Sequence, residues 1–391
     1  MITPFQKPFY AARTVCRIIF IITLLGSSCT RGNKRQSEAG STGGSVIKKA
    51  DRFALQVTDT CTVLTIYDPW QGAGGIRHKY YLVKGSGFRL KVDSSQIINV
   101  PVRRIICMST THLAMIKALK EVNSVVGVSG SGFIYDKEIS RRVTEGLVSD
   151  VGYEAGMNNE LIISTSPDLV MMYGIGSESA GYTGKIAELG IKIMFNADYL
   201  ETDPLGKAEW IKLFGALYCK EELADSIFTD ISDSYEKVKT YIRDNAVKKP
   251  GVLLGLPFRD TWYISPGNSY ISKLIKDAGG SYLWETTESE VSMPLGLENV
   301  FLHSLKADYW LNTGAVTSKS EILSLDPRLG SIPPFKSGNI YNNNKRISGG
   351  GGNDYWESGT LNPQIILKDI AAILHPGLFE NYEPVYYRKI E

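Results

Sequence analysis

With 391 residues, 43% hydrophobic and 21% charged, the chain has a globular composition and length enough for two lobes of ordinary domain size. Its net charge of +2 makes no electrostatic case for a nucleic-acid partner. The 21 tyrosines suit either a recognition surface or half-buried strands.

Residues 1–29 read as a targeting segment. Lys7, Arg13 and Arg17 make a basic start. Residues 18–25 (IIFIITLL) form an apolar run too short to span a membrane as a mature helix, and Gly26, Ser27 and Ser28 precede Cys29. This arrangement resembles a bacterial lipoprotein signal, with Gly26 where such signals usually carry Leu. The resemblance implies that Cys29 becomes the lipid-bearing first residue. An ordinary cleaved signal or a signal anchor is the alternative. Residues 30–52 have no apolar period and read as a flexible tether. Cys61, Cys107 and Cys219 then remain, which permits at most one disulfide. Cys107 sits in a strand pattern and is expected to be a buried thiol.

Residues 53–100 are rich in β-branched and aromatic residues, with the turn-forming run 68–75 (DPWQGAGG) between two strand patterns. They read as a small antiparallel addition at the front of a first lobe covering residues 53–203. From residue 103 the pattern alternates. Strands are expected at 104–109, 125–128, 167–174 and 192–196. Helices are expected at 112–122, capped by Thr110 or Thr111, then near 158–164 and 181–189.

Residues 204–245 place Ile211, Phe214, Leu217, Leu223, Ile227, Ile231 and Val238 at helical spacing. Unbroken, such a helix reaches about 60 Å, and a break is expected near Cys219. The alternation resumes in a second lobe, residues 246–391, ending in a helix opened by Asn362 and Pro363. Strands alternating with helices imply mainly parallel sheets covered on both faces. The expected fold is therefore α/β: two Rossmann-like lobes, a long connecting helix and a small N-terminal β addition. Residues 158–174 and 298–314 both run helix, Asp, strand residues and Gly, a weak internal echo of one lobe in the other.

Four stretches resemble the substrate-binding lipoproteins of ABC importers for iron–siderophores, haem and cobalamin: residues 103–109 (RRIICMS), 159–170 (NELIISTSPDLV), 189–194 (LGIKIM) and the helix from Pro204. The resemblance covers residues 103–378 and leaves 53–100 outside. It implies two lobes joined by one long helix, little flexing, a ligand held between the lobes, and no chemistry performed. It also implies a permease and its ATPase as partners. One Glu on each lobe docks on the permease in that family; by position these are Glu178 and Glu298. For Glu298 the alternative is a first-turn charge favoured by the helix dipole. A monomer and no resident cofactor are expected, the ligand being an iron chelate, haem or a corrinoid. An enzyme on a related scaffold and a non-transport surface-binding lipoprotein are the alternatives.

Ligands in open α/β sheets bind beyond the carboxyl ends of the strands. That places Ser109, His112, Tyr135, Tyr173 and Tyr199 of the first lobe near the ligand, with Arg259, Trp262, Arg346, Tyr355 and Trp356 of the second. Arg259 and Arg346 suit the carboxylates of a chelate or of haem; surface ion pairing is the alternative. The aromatic residues suit a large, partly apolar ligand. The glycine run 349–352 reads as a ligand-facing lid or a plain flexible loop, since no Lys-Ser/Thr follows it to cradle phosphate. The four His scatter over different elements, which excludes a bare-metal cage.

Overall fold

Asp168 and Asp308 organise the two lobes in the same way. In this computed structural model, which describes residues 47–85, 90–153, 156–174 and 179–391, each Asp immediately precedes an inner strand and pins the start of the neighbouring strand. Asp168 Oδ2 accepts the N–H groups of Arg103 (2.8 Å) and Arg104 (2.9 Å). Asp308 Oδ2 accepts the N–H of Gly251 (2.7 Å). The weak echo in the sequence is thus a repeated structural device.

The first lobe holds a five-stranded parallel sheet of β5 (Ile105–Cys107), β6 (Val125–Val128), β7 (Ser149–Asp150), β8 (Leu169–Met172) and β9 (Ile193–Phe195), in the order β7-β6-β5-β8-β9. Its helices are α1 (Thr110–Ala118), α2 (Lys137–Thr144), α3 (Asn159–Ser164) and α4 (Ser179–Glu188). The inner strands are buried on both faces. Ile105, Cys107, Leu169 and Met171 join one apolar cluster, while Ile106, Met108, Val170 and Met172 join another. Cys107 is buried, and Cys61, Cys107 and Cys219 are all free thiols. Ser109, rather than Thr110 or Thr111, caps α1, because its extended backbone lets Oγ accept from Thr111 N.

In front of this lobe lies a four-stranded sheet, β1 (Phe53–Val57), β2 (Thr62–Tyr67), β3 (Arg77–Lys84) and β4 (Ile97–Val100), in sequence order. Its first three strands are antiparallel, and β4 joins β3 in parallel. The chain leading into it is held by two buried carboxylates. Glu209 accepts the N–H groups of Lys48, Lys49 and Ala50, and Glu201 those of Asp51 and Arg52.

The expected connecting helix is three helices: α5 (Pro204–Glu209), α6 (Ile211–Tyr218) and α7 (Glu221–Asn245). Cys219 adopts a left-handed conformation (φ 55°) and makes the break anticipated there; a second break, not anticipated, falls at Trp210. All eight residues of α6 are buried. The 25 residues of α7, about 37 Å long, bury Ala224, Phe228, Ile231, Tyr235 and Ile242 along one stripe.

The second lobe contains β10 (Gly251–Leu254), β11 (Thr261–Ile264), β12 (Ser281–Tyr282), β13 (Met293–Gly296), β14 (Tyr309–Leu311), β15 (Ile340–Asn342) and β16 (Arg388–Lys389). Its main sheet runs β12-β10-β14-β15-β16, parallel except for β16, while β11 and β13 form a separate antiparallel pair. Helices α8 (Tyr270–Asp277), α9 (Leu297–Ser304), α10 (Lys319–Leu325), α11 (Pro333–Ser337) and α12 (Pro363–Leu374) surround it. One apolar cluster runs without interruption from Leu64 and Ile98 through Trp210 and Phe214 to Trp310 and Ile370. A shared core of this kind opposes rotation of one lobe against the other, because rotation would expose it.

Candidate functional site

Both parallel sheets reverse their strand order at a central pair, β5/β8 in the first lobe and β10/β14 in the second. Ligands in such sheets bind at this point, beyond the carboxyl ends. Loops beyond the carboxyl ends of β6 and β15 meet across the seam between the lobes.

At one end of the seam, the loop after β15 grips the loop after β6. Glu357 is buried, and its carboxylate accepts Tyr135 N–H (2.8 Å) and Asp136 N–H (2.9 Å). Burial pushes its pKa up to about 7, against the pull of those two donors. The Arg346 guanidinium lies 5.1 Å from the Tyr135 ring centroid and pairs with Asp354 at 2.7 Å. Lys117 of α1 pairs with Asp136. A Cβ at Gly350 would come 2.5 Å from Gly132 O, and one at Gly352 would come 2.4 Å from Phe133 O. The glycine run is therefore a close backbone contact between lobes, which corrects its reading as a ligand-facing lid or a flexible loop. A cavity of about 990 Å³ opens beside this contact, with Leu113, Lys117, Tyr135, Ile227, Arg346 and Glu357 among its walls.

Elsewhere the strand ends carry exposed side chains. Phe133 (55% exposed) follows β6 and meets the Tyr153 ring edge-on at 6.3 Å. Phe258 (64% exposed) follows β10, with the Arg259 guanidinium 5.3 Å from its ring centroid. Arg259 holds φ at 55° at the tip of the turn between Phe258 and Thr261, a strained conformation for a residue with a Cβ. Tyr173 is half-buried against the second apolar cluster of its lobe. Tyr199 donates its hydroxyl to Gly174 O, and burial raises its pKa. Trp356 is 53% exposed.

Three expected ligand residues belong to the interior instead. His112 is fully buried near Phe214, neither ring nitrogen has a partner, and burial lowers its pKa to about 3. Trp262 is fully buried, with Nε1 bonded to Leu254 O (2.9 Å) and its ring 5.8 Å from Trp310. Tyr355 is 2% exposed and packs edge-on against Tyr386 and Tyr387. In each case alternation along a helix or strand, or packing of a loop, turned the side chain inward. Ser109 acts as a helix cap but keeps partial exposure. Glu298 is exposed in the first turn of α9. Glu178 and Cys29 lie outside the described residues.

Phe133 and Phe258 are not among the residues singled out from the sequence. Both lie within five residues of a strand's carboxyl end, a usable signal. Glu357 carried no signal, because its partners are backbone groups 221 and 222 residues away. Among the described residues no group of three or more His, Cys, Asp or Glu is placed to hold a metal ion. No helix among them is long and apolar enough to cross a membrane.

This chain belongs to the periplasmic binding protein family, whose pattern it matches over residues 105–346. An uncharacterized lipoprotein of Methanocaldococcus jannaschii is 29% identical over 307 residues, covering 76% of this chain and 71% of that one. A periplasmic heme-binding protein from Pseudomonas aeruginosa has a similar fold, with a TM-score of 0.54, 14% identity, and 74% of this chain and 98% of that one covered. An ABC-type Fe3+-hydroxamate transport protein from Saccharomonospora viridis gives a TM-score of 0.52 at 18% identity, covering 70% and 94% of the two chains. The two-lobed α/β fold expected from the residues is the fold of this family.

Proposed function

We propose that the protein is the substrate-binding component of an ABC importer, holding an iron chelate (a siderophore complex or haem) between its lobes and delivering it to a permease and its ATPase. It performs no chemistry. The observation that carries this reading is the meeting of an aromatic and a cationic side chain across the seam, Tyr135 with Arg346, together with Phe133 of the first lobe and the Phe258–Arg259 pair of the second exposed beyond strand ends. Flat aromatic faces suit the apolar body of a chelate or porphyrin, and guanidinium groups suit its carboxylates. The fold shared with a heme-binding and an Fe3+-hydroxamate transport protein supports the same class. Glu298 and Glu178 are the docking residues of this reading, Cys29 is its lipid anchor, and the cell envelope is its location. A corrinoid is the second ligand class.

Protein purified from its own host and examined by native mass spectrometry and absorption spectroscopy is expected to carry a bound iron chelate. Failure to bind any ferric siderophore, haem or cobalamin with a Kd below about 1 μM, a level useful for capture, would overturn the proposal.

A further inference from the structure

The matched family pattern begins at residue 105, so the N-terminal sheet stands outside it. The turn between β2 and β3 nevertheless reaches the carboxyl ends of the first lobe's strands. Asp68 organises that turn: its N–H donates to Ile76 O (2.9 Å), and its Oδ1 accepts Gly75 N–H (2.8 Å). Trp70 and Gln71 project from it as a strap. Trp70 forms an isolated parallel bridge with Gly174, two residues past β8, and its ring packs on His78 and Phe195. A Cβ at Gly174 would come 2.8 Å from Trp70 Cβ, so this approach depends on glycine there. The Tyr199 hydroxyl donates to Gly174 O, the carbonyl of the residue that Trp70 bridges. The Gln71 side chain then crosses the seam and donates from Nε2 to Glu290 O of the second lobe at 3.0 Å.

Resting on the transport reading above, we infer that the Trp70–Gln71 strap is a third wall of the ligand cleft and a determinant of which chelate it accepts. Glu357 and the glycine run tie the lobes at the β6 side of the first sheet. The strap ties them at the β8–β9 side, beside Tyr173 and Tyr199. Ligand between the two ties then meets the strap as well as the lobes. The strap's indole and amide suit a chelate with an apolar rim and a hydrogen-bonding edge.

The test uses Trp70→Ala, Gln71→Ala and Gly174→Ala in the full folded protein, the last of which displaces the strap without altering it. Calorimetric titration with a ferric trihydroxamate, hemin and cyanocobalamin gives the preference among the three, and hydrogen exchange reports protection of residues 285–291. The proposal expects the preference to shift by about tenfold in Trp70→Ala and Gly174→Ala. It also expects faster exchange at 285–291 in Gln71→Ala, a readout that needs no ligand. Wild-type binding with preferences unchanged within about twofold in all three variants overturns the strap proposal and leaves the transport reading standing. A wild-type protein that binds none of the three overturns the transport reading and the strap proposal with it.

Discussion

Glu357 reaches from the second lobe to the backbone N–H of Tyr135 in the first, 222 residues away, at 2.8 Å. Its other oxygen takes the N–H of Asp136, so a single buried carboxylate bridges the seam. Burial raises its pKa from 4.5 to about 7. A folded-state pKa above the unfolded one means that this group's stabilising share is complete below pH 4.5 and is lost as pH rises through about 7. The span is at most roughly 3 kcal/mol. Glu357→Gln is expected to flatten that part of the stability curve. Glu201, also raised to about 7, keeps its own share in both proteins. The decisive quantity is therefore the difference between wild-type and variant melting temperatures from about pH 4.5 to 8. Parallel curves would remove Glu357 from this role.

Gly352→Ala is expected to destabilise the protein by about 2 kcal/mol or more, because its Cβ would press on Phe133 O across the seam. Gly349→Ala, with nothing within 4 Å of its Cβ and no positive φ, is expected to be nearly neutral. Chemical denaturation of both variants checks this, and equal losses would show that the close approach at 352 is not what matters.

Removing the paired strand anchors should have matched effects. Asp168→Ala leaves two backbone donors without their carboxylate and Asp308→Ala leaves one. Each is expected to cost about 1–2 kcal/mol, the exposed setting keeping the value low. Denaturant midpoints of the two variants and wild type give the comparison. A neutral result in one lobe alone would break the equivalence.

Arg259 touches the core nowhere and stands at a turn tip in a left-handed conformation. Arg259→Ala is expected to weaken binding of an anionic chelate by about tenfold while leaving the melting temperature within a degree or so. Arg259→Gly should lose the same affinity yet gain about 0.5–1 kcal/mol of stability, since glycine accepts that φ without strain. Unchanged affinity in both variants would take Arg259 out of the ligand site.

The uninterrupted core and the seam contacts predict that ligand-free and ligand-bound protein share one lobe arrangement. Small-angle scattering with and without a bound chelate should give superimposable profiles. A wide lobe rotation on binding would contradict the structural role assigned to α5, α6 and α7.

Much of the fold was legible because it is local. Alternating strand and helix patterns and the break at Cys219 all depend on neighbours a few residues apart. The Pro-Asp-Leu-Val run at 167–170 announced a parallel strand, and its Asp proved to be the anchor of the strand beside it. The candidate site was legible only as loops. His112, Trp262 and Tyr355 had the right chemistry and lie at a helix start, in strand β11 and in a loop, yet they point inward. Which side of a turn a ring takes depends on packing from other elements, which no local pattern encodes.

The sequence by itself determined two α/β lobes and a helical connection, since these follow from periodicity and turn chemistry. Tertiary structure alone decided that the glycine run closes against Gly132 and Phe133, that Glu357 bridges the lobes, and that Trp70 and Gln71 reach the seam from outside the family's segment. Each of those contacts joins residues about 100 to more than 200 positions apart, and its geometry exists only once the shared core has brought them together.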